Sequence, residues 1–260
     1  MLWINDIHLW IALAATLFLM LSHFISFWLS NRLPDNGKSF ISFAGGVSIA
    51  YVFLEMLPGL VEYNKPIGEY LILNQWLTSF TELMIYIVSL IGFLIYYGLD
   101  VFAERYQTIT HDNRIVYLLH ISMFCFYNML ITHTMSLRAV AGPTYTLLFT
   151  FAMALHFVLT DRKFSRTYPI RFNHFGRFFL NLSLLIGWIL SVIFNPVSVL
   201  FVAFMMAFLA GSIMLNVFRE ELPNGDLASF RWFLLGSLLI TSILLLRTWV
   251  GRADLTMHLF

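Results

Sequence analysis

Long runs of apolar residues, separated by short polar stretches, dominate the chain. Because an α-helix needs about 20 apolar residues to cross a bilayer, windows of that length predict eight membrane-spanning helices. Several separators contain strong helix breakers, such as Gly142-Pro143 and Asn195-Pro196. The predicted segments are His8 to Ser30, Phe40 to Leu60, Phe80 to Ala103, Ile115 to Leu137, Thr144 to Thr160, Phe178 to Phe194, Val197 to Phe218 and Phe230 to Arg247. The pattern therefore predicts an all-α polytopic membrane protein, with one transmembrane domain over residues 1–260.

Composition supports this class. Hydrophobic residues make up 60% of the chain and charged residues 11%, too few to coat a soluble globule of 260 residues. The net charge of +1 and the scattered cations argue against a nucleic-acid partner. The single cysteine, Cys125, falls in an apolar segment and implies neither a disulfide framework nor a cysteine metal site. The lipid bilayer is the expected partner.

The distribution of positive charge predicts an orientation. Eleven Lys and Arg residues fall on one side of the predicted helices: Arg32, Lys38, Arg105, Arg114, Arg162, Lys163, Arg166, Arg171, Arg177, Arg219 and Arg231. Four fall on the other: Lys65, Arg138, Arg247 and Arg252. The positive-inside rule then places both termini on the non-cytoplasmic side. The segment Lys163 to Arg177 becomes either an ordinary basic cytoplasmic loop followed by a helix start or a stretch that lies on anionic lipid. We expect the bacterial inner membrane or another plasma membrane.

Two distant stretches match each other. Gly46 to Pro58 and Gly211 to Pro223 share Gly, Val-Phe, Glu and Leu-Pro at identical spacing. An apolar helix can also end in Leu-Pro by coincidence, because proline cannot continue a helix. We interpret the match as a duplication, with inverted repeats of about residues 8–103 and 178–247 around central helices at about 115–160. Transporters with this architecture place their substrate site near the bilayer midplane.

Polar residues inside the predicted helices are the candidates for function, because they are costly at membrane depth. On the second and seventh helices they fall three or four residues apart and so share one face: Ser48, Tyr51 and Glu55 on the second, and Ser212, Asn216 and Glu220 on the seventh. The two glutamates are either gating or ion-binding carboxylates, or interfacial residues that are solvated or paired with a nearby cation.

The fourth helix carries a polar stripe. His120, Tyr127 and Thr134 recur at seven-residue steps, with Asn128 and Thr132 beside them. Such a stripe should face protein rather than lipid. It predicts either a cation or substrate path, or hydrogen bonds between helices without transport.

The fifth helix offers His156 and Thr160 on one face, followed by Asp161. A lone histidine in an apolar helix is more often a satisfied interior group than a metal ligand. Asp161 adjoins two cations and lies off the His156 face, so we interpret it as an interfacial ion pair. On the first helix, His23 near Ser26 is a weaker candidate.

Residues 43–58 and 210–223 also resemble known helices. The stretch from Phe43-Ala44-Gly45-Gly46-Val47 to Glu55-Met56-Leu57-Pro58 is similar to the second helix of the ZIP (Zrt/Irt-like) family of divalent-metal transporters. The stretch from Ala210-Gly211 to Glu220-Glu221-Leu222-Pro223 is similar to its seventh. The resemblance implies eight helices arranged as three, two and three, with the metal site on helices four and five.

The family's site motifs match this chain only in part. Its helix-four motif, His-Asn-x-x-Asp/Glu-Gly, corresponds to residues 127–132, where only Asn128 agrees. Its helix-five motif, close to His-Glu-x-Pro-x-Glu, corresponds to residues 156–161, where His156 agrees and Asp161 replaces the final Glu. The resemblance implies a transported divalent metal such as zinc, contacted by Asn128, His156, Asp161 and Glu55. Because the other acidic ligands are absent, we expect a single-ion site rather than a two-metal site.

Three function classes follow from these observations. The first is a ZIP-like transporter of a small cation, with a path lined by His120, Tyr127, Thr132, Thr160, Asn216 and Glu220. The second is a non-transporting scaffold or regulatory membrane protein, or a transporter of a non-metal solute. An enzyme is not expected, because the chain contains no nucleophile motif, phosphate-binding glycine loop or dinucleotide fingerprint. No resident cofactor is expected, and a homodimer is a compatible assembly.

Overall fold

The computed structural model describes residues 7–32, 37–62, 64, 83–109, 114–194, 199–222 and 228–257, and these residues form helices and no strands. The long helices are α1 (Ile7–Arg32), α2 (Lys38–Tyr51, continued by a π-helical turn, Val52–Met56), α3 (Met84–Ile109), α4 (Arg114–His133, continued by Met135–Ala141), α5 (Pro143–Thr167), α6 (Arg177–Ile193, preceded by Pro169–Arg171 and a π-helical turn, Phe172–Gly176), α7 (Val199–Asn216, continued by a π-helical turn, Val217–Glu221) and α8 (Phe230–Met257).

Within this part of the chain, eight helices are long and apolar enough to cross a membrane. Large apolar side chains cover much of their outer surface; on α8, for example, Leu235, Leu238 and Leu245 are all exposed. Such a surface would be a liability in water but suits contact with lipid. The fold therefore indicates an integral membrane protein, and the predicted all-helical class and eight spans are confirmed.

The connection between α5 and α6 differs from the prediction. The segment predicted as a basic loop, Lys163 to Arg177, is almost entirely helical. The one interruption is at Tyr168, where φ is −131° and ψ is 61°, and Pro169 begins the next helical turn. Hydropathy windows end where charges begin, whereas a helical backbone continues until a residue such as proline interrupts it.

The helices pack mainly as four pairs: α2 with α8, α3 with α7, α4 with α6, and α1 with α5. In the α2–α8 pair, the backbones touch at two glycines. A Cβ atom on Gly46 would collide with the carbonyl oxygen of Phe233, and one on Gly236 with that of Phe43. Small residues at a crossing let membrane helices approach closely enough for backbone contact.

The α3–α7 pair repeats this arrangement. A Cβ atom on Gly211 would collide with the carbonyl oxygen of Ser89, and one on Gly92 with that of Phe208. In both pairs each glycine faces a carbonyl three residues before the partner glycine. The glycines of the two matching sequence motifs, Gly46 and Gly211, thus occupy corresponding places in two different helix pairs.

Two π-helical turns also fall at matching positions. In the Gly46–Pro58 motif the turn is Val52–Met56, and in the Gly211–Pro223 motif it is Val217–Glu221. Both turns begin at the valine of the shared Val-Phe pair. A π turn adds a residue to the helical repeat and is frequent at functional sites.

Candidate functional site

A first acid–imidazole pair joins α1 to α5. The Nδ1 atom of His23 lies 3.0 Å from both carboxylate oxygens of Asp161, and the hydroxyl of Ser26 donates to Asp161 Oδ2 at 3.0 Å. His23 and Asp161 are both buried, and Arg177 Nε approaches Asp161 Oδ2 at 3.9 Å. The structure thus places the Asp161 side chain in the interior of the helical bundle, facing α1, rather than in the interfacial position that its neighbouring cations suggested.

Asn128 extends this pair to α4. Its side-chain amide nitrogen lies 3.4 Å from His23 Nε2, and the ring of Phe157 stacks on His23 at a centroid distance of 4.8 Å. With Asp161 ionised, His23 donates from Nδ1 and accepts at Nε2 from the amide of Asn128. In this arrangement the imidazole is neutral and the carboxylate of Asp161, with Arg177 beside it, carries the negative charge of the pair.

A second acid–imidazole pair joins α5 to α7 and α4. His156 Nδ1 is hydrogen-bonded to Glu221 Oε1, and the Tyr127 hydroxyl lies 3.2 Å from His156 Nε2. All three side chains are fully buried. When Tyr127 donates to Nε2 and Nδ1 donates to Glu221, every nitrogen is satisfied with a neutral imidazole. Among the described residues, no lysine or arginine pairs with Glu221.

Sequence reasoning missed Glu221 because of the π-helical turn. Regular helical spacing puts Ser212, Asn216 and Glu220 on one face, and the side chain of Glu220 lies outside the described part of the structure. The π turn, with its i to i+5 repeat, instead brings Glu221 onto the buried face of Asn216. The Val-Phe pair shared by the two motifs marks where both π-helical turns begin, but the sequence alone does not show that a π turn starts there.

Two buried polar atoms on this face have no hydrogen-bond partner among the described residues. They are Oε2 of Glu221 and the amide nitrogen of Asn216. Most buried polar groups in proteins are paired, so each exception needs a physical explanation. A carboxylate with one free oxygen, near a free amide on the same helix, retains capacity for a further polar contact.

Glu55 has a different environment from the other predicted metal residues. Its Oε1 atom accepts a hydrogen bond from Arg247 at 3.0 Å, and the Arg247 guanidinium lies 3.8 Å from the centre of the Tyr145 ring. Glu55 lines a cavity of about 260 Å³, together with Arg138 on α4 and Val202 on α7. This ion pair holds α2 to α8.

The predicted path residues His120, Thr160 and Asn216 line a second cavity, of about 100 Å³. His120 Nδ1 lies 2.8 Å from the Tyr168 hydroxyl, and its Nε2 lies 3.4 Å from Asp100. Asp100 also pairs with Arg219 at 2.6 Å. This second ion pair holds α3 to α7, just as Glu55 and Arg247 hold α2 to α8.

The two cavities lie at opposite ends of the central helices. The larger is lined by the C-terminal part of α4 and the N-terminal parts of α5 and α7, and the smaller by the reverse ends of the same three helices. Buried residues of α4 and α5 separate them, including Tyr127, Phe149 and His156. Tyr127 and His156 thus lie between the residues that line the two cavities, whereas Glu221 follows Asn216, which lines the smaller one.

Thr132 has a structural contact. Its hydroxyl donates to the backbone carbonyl of Leu184 at 2.7 Å, which joins α4 to α6. At the same level, a Cβ atom on Gly187 would collide with the Met129 carbonyl and the Thr132 hydroxyl. The contact agrees with the alternative that part of the α4 polar stripe serves helix packing.

The four residues predicted to contact a metal are distributed over three separate contacts. Asn128 and Asp161 meet at His23, His156 meets Tyr127 and Glu221, and Glu55 meets Arg247. In the described part of the chain, no three His, Cys, Asp or Glu residues form a group that could hold a metal ion. The donors are of suitable chemical type, but each already has a protein partner.

Comparison with known proteins gives no family assignment. No protein-family model matches this chain, and a search of curated proteins finds no match.

Proposed function

We propose that the protein is a membrane transporter of a small cation, with a passage along α4 and α5. Divalent metals such as zinc are the first substrates to test, as the resemblance to the ZIP family implies. The observation that carries this proposal is the buried hydrogen bond between Glu221 and His156, which lies on α5 between the residues that line two cavities at opposite ends of α4, α5 and α7. Ionisable groups buried at membrane depth typically mark an ion pathway.

The electrostatics favour a cationic substrate. With neutral imidazoles in both pairs, an ionised Glu221 supplies buried negative charge, whereas Arg177 partly offsets the charge of Asp161. Carboxylate, imidazole and amide groups are all ligands of divalent first-row metals. Binding of such a cation would replace imidazole–carboxylate contacts by metal contacts, and the free Oε2 of Glu221 is available for this exchange.

Helix packing supports a transporter with inverted repeats. In an inverted repeat, α1, α2 and α3 correspond to α6, α7 and α8, and α4 corresponds to α5. Under this correspondence the α2–α8 pair matches the α7–α3 pair, and the α1–α5 pair matches the α6–α4 pair. The glycine contacts and the π-helical turns obey the same exchange. Two halves of opposite orientation can open a central site to either side of the membrane in turn.

A second candidate, a scaffold that does not transport, is favoured by the packing of two residues. Ile131 and Phe157 stand where the ZIP motifs have acidic residues, and both are buried apolar side chains. Phe157 stacks directly on His23 and so fills space beside the first acid–imidazole pair. If the fold were retained but the cation site lost, apolar side chains would be expected to fill the space of the missing ligands, as Ile131 and Phe157 do.

Uptake of a panel of divalent metals into proteoliposomes tests the proposal. We expect flux in the native protein that is lost in His156→Ala, Asn128→Ala and Glu221→Gln. His174→Ala is the matched control, because His174 is exposed and hydrogen-bonds a carbonyl of its own helix turn. Absence of flux for every metal, together with absence of monovalent cation flux, would support the scaffold instead.

A further inference from the structure

Two ion pairs join the first three helices to the last three at opposite ends of the bundle. Glu55 on α2 pairs with Arg247 on α8 at 3.0 Å. Asp100 on α3 pairs with Arg219 on α7 at 2.6 Å. Each carboxylate also lines a cavity, Glu55 the one of about 260 Å³ and Asp100 the one of about 100 Å³. One ion pair therefore lies beside each of the two cavities.

In both helix pairs, the ion pair lies well beyond the glycine crossing. The backbones touch at Gly46 and Gly236 in the α2–α8 pair and at Gly92 and Gly211 in the α3–α7 pair. The charged residues follow these glycines by eight to eleven positions, about 12–16 Å along the helix axis. At the crossing the helices are in backbone contact, whereas at the ion pair they meet through long side chains. The crossing is therefore the natural pivot of each helix pair.

Each ion pair takes one residue from a π-helical turn. Glu55 lies in the turn Val52–Met56, and Arg219 lies in the turn Val217–Glu221. Sharp helix bends are frequent at such turns, because the wider repeat interrupts the regular hydrogen bonds. A bend at either turn would move the charged residue relative to the glycine crossing of the same helix.

The two π-helical turns are also in contact with each other. Phe53 of the first turn packs edge-on against Phe218 of the second, with ring centroids 6.0 Å apart and an interplanar angle of 82°. In addition, α7 lines both cavities, with residues from Val202 to Ala210 at the larger and with Leu215 and Asn216 at the smaller. A movement of α7 at one cavity therefore acts on the other.

We propose that the two ion pairs are gates that open in turn, each when its helix pair swings apart about the glycine crossing. The four charged side chains are 13–26% exposed, and ion pairs with such exposure are weak enough to break and re-form readily. A cation that enters either cavity competes with the arginine for the carboxylate and so releases the gate. This inference rests on the proposed function, because alternating gates serve a transporter.

Cysteine accessibility in lipid nanodiscs tests the gates without requiring flux. With the native cysteine replaced by serine, Val202→Cys reports on the larger cavity and Thr167→Cys on the smaller. Asp100→Asn should raise the rate at which a water-soluble thiol reagent modifies the Thr167→Cys reporter by about two- to fivefold, and lower the rate at the Val202→Cys reporter by a similar factor. Glu55→Gln should have the opposite effect on both reporters.

Further variants separate gating from local effects. Arg219→Gln should act as Asp100→Asn does, and Arg247→Gln as Glu55→Gln does. Glu55→Arg combined with Arg247→Glu should return both rates towards the native values, because the ion pair is restored with its charges reversed. His174→Gln is the control and should change neither rate, because His174 is exposed and contacts neither ion pair.

The distant cavity decides the outcome, because a change of charge affects a nearby thiol even without gating. A change confined to the cavity beside the altered ion pair, or an equal increase at both cavities, overturns the proposal. Cation flux is measured in parallel. Reciprocal changes without flux would support the gates and contradict the proposed transport, whereas flux without reciprocal changes would overturn the gates alone.

Discussion

The crossing of α3 and α7 provides the sharpest test of the fold. In Gly211→Ala, the added methyl group would collide with the carbonyl oxygen of Ser89 and approach the backbone nitrogen of Phe93. Both contacts are with backbone, which cannot rotate away as a side chain can. The two helices must therefore separate, or α7 must shift along α3.

The size of the effect follows from close packing. A separation on the order of 1 Å loses about a quarter to a half of the dispersion attraction in each contact that opens. Insertion of extra methyl groups into packed regions costs about 1–3 kcal/mol. We therefore expect Gly211→Ala to lower the free energy of unfolding by about 2 kcal/mol, measured by reversible unfolding in mixed micelles with tryptophan fluorescence.

Gly98→Ala is the matched control. A Cβ atom at Gly98, also on α3, would meet nothing within 4 Å. Because alanine favours the helix over glycine by up to about 1 kcal/mol, this variant should be as stable as the native protein or slightly more stable. The contrast isolates the helix crossing from the general effect of glycine replacement.

Double variants test the pairing of the helices. Gly46→Ala and Gly236→Ala act on the same α2–α8 crossing. Once the first methyl group has separated the helices, the second destabilises the protein less. The loss of unfolding free energy in the double variant should therefore be about 1 kcal/mol smaller than the sum of the two single losses. Gly46→Ala with Gly211→Ala, on different crossings, should be additive within about 0.5 kcal/mol. A Gly211→Ala protein of native stability, or additive losses at a single crossing, would refute the reasoning.

Further predictions concern buried charge and topology. His156→Ala should lower the unfolding free energy by about 3 kcal/mol or more, because Glu221 is left buried without a partner; addition of Glu221→Leu should recover much of the loss. Glu55→Gln should cost about 1 kcal/mol or less, because that ion pair is partly exposed. With the native cysteine replaced by serine, Arg166→Cys should react with a membrane-impermeant thiol reagent only from the cytoplasmic side and Gly59→Cys only from the opposite side. Labelling of both from one side would contradict the predicted orientation.

The number and order of helices could be predicted from the sequence because lipid imposes a long apolar run on every span. The ends of the helices could not. At α5, charged residues follow Thr160, so hydropathy ends there, yet the helix continues to Thr167. At Gly142-Pro143 the prediction is confirmed, because Gly142 has a φ of 136° and Pro143 starts α5. A local stereochemical signal is readable from sequence, whereas a charged residue does not by itself stop a helix.

The site was predicted in parts. Asn128 and His156 could be selected because each is a polar group within a predicted apolar helix, and Asp161 through the resemblance to the ZIP helix-five motif; the structure buries all three. Their partners could not be selected, because helical spacing gives the face of a residue but not the helix that packs against it. His23 therefore ranked as a weak candidate although it contacts both Asp161 and Asn128.

The two matching motifs separate what packing requires from what chemistry requires. Both keep the glycine at the helix crossing and the π-helical turn, which are demands of backbone geometry. The residue that ends each turn differs: Met56 in the first motif and Glu221 in the second, both buried. A buried carboxylate needs a partner, and His156 meets that need for Glu221, whereas a buried methionine needs none. The repeated architecture therefore places a fully buried carboxyl group at the end of the π-helical turn of α7 and not of α2, and Glu221, rather than Glu55, is the glutamate whose loss should affect the proposed transport most.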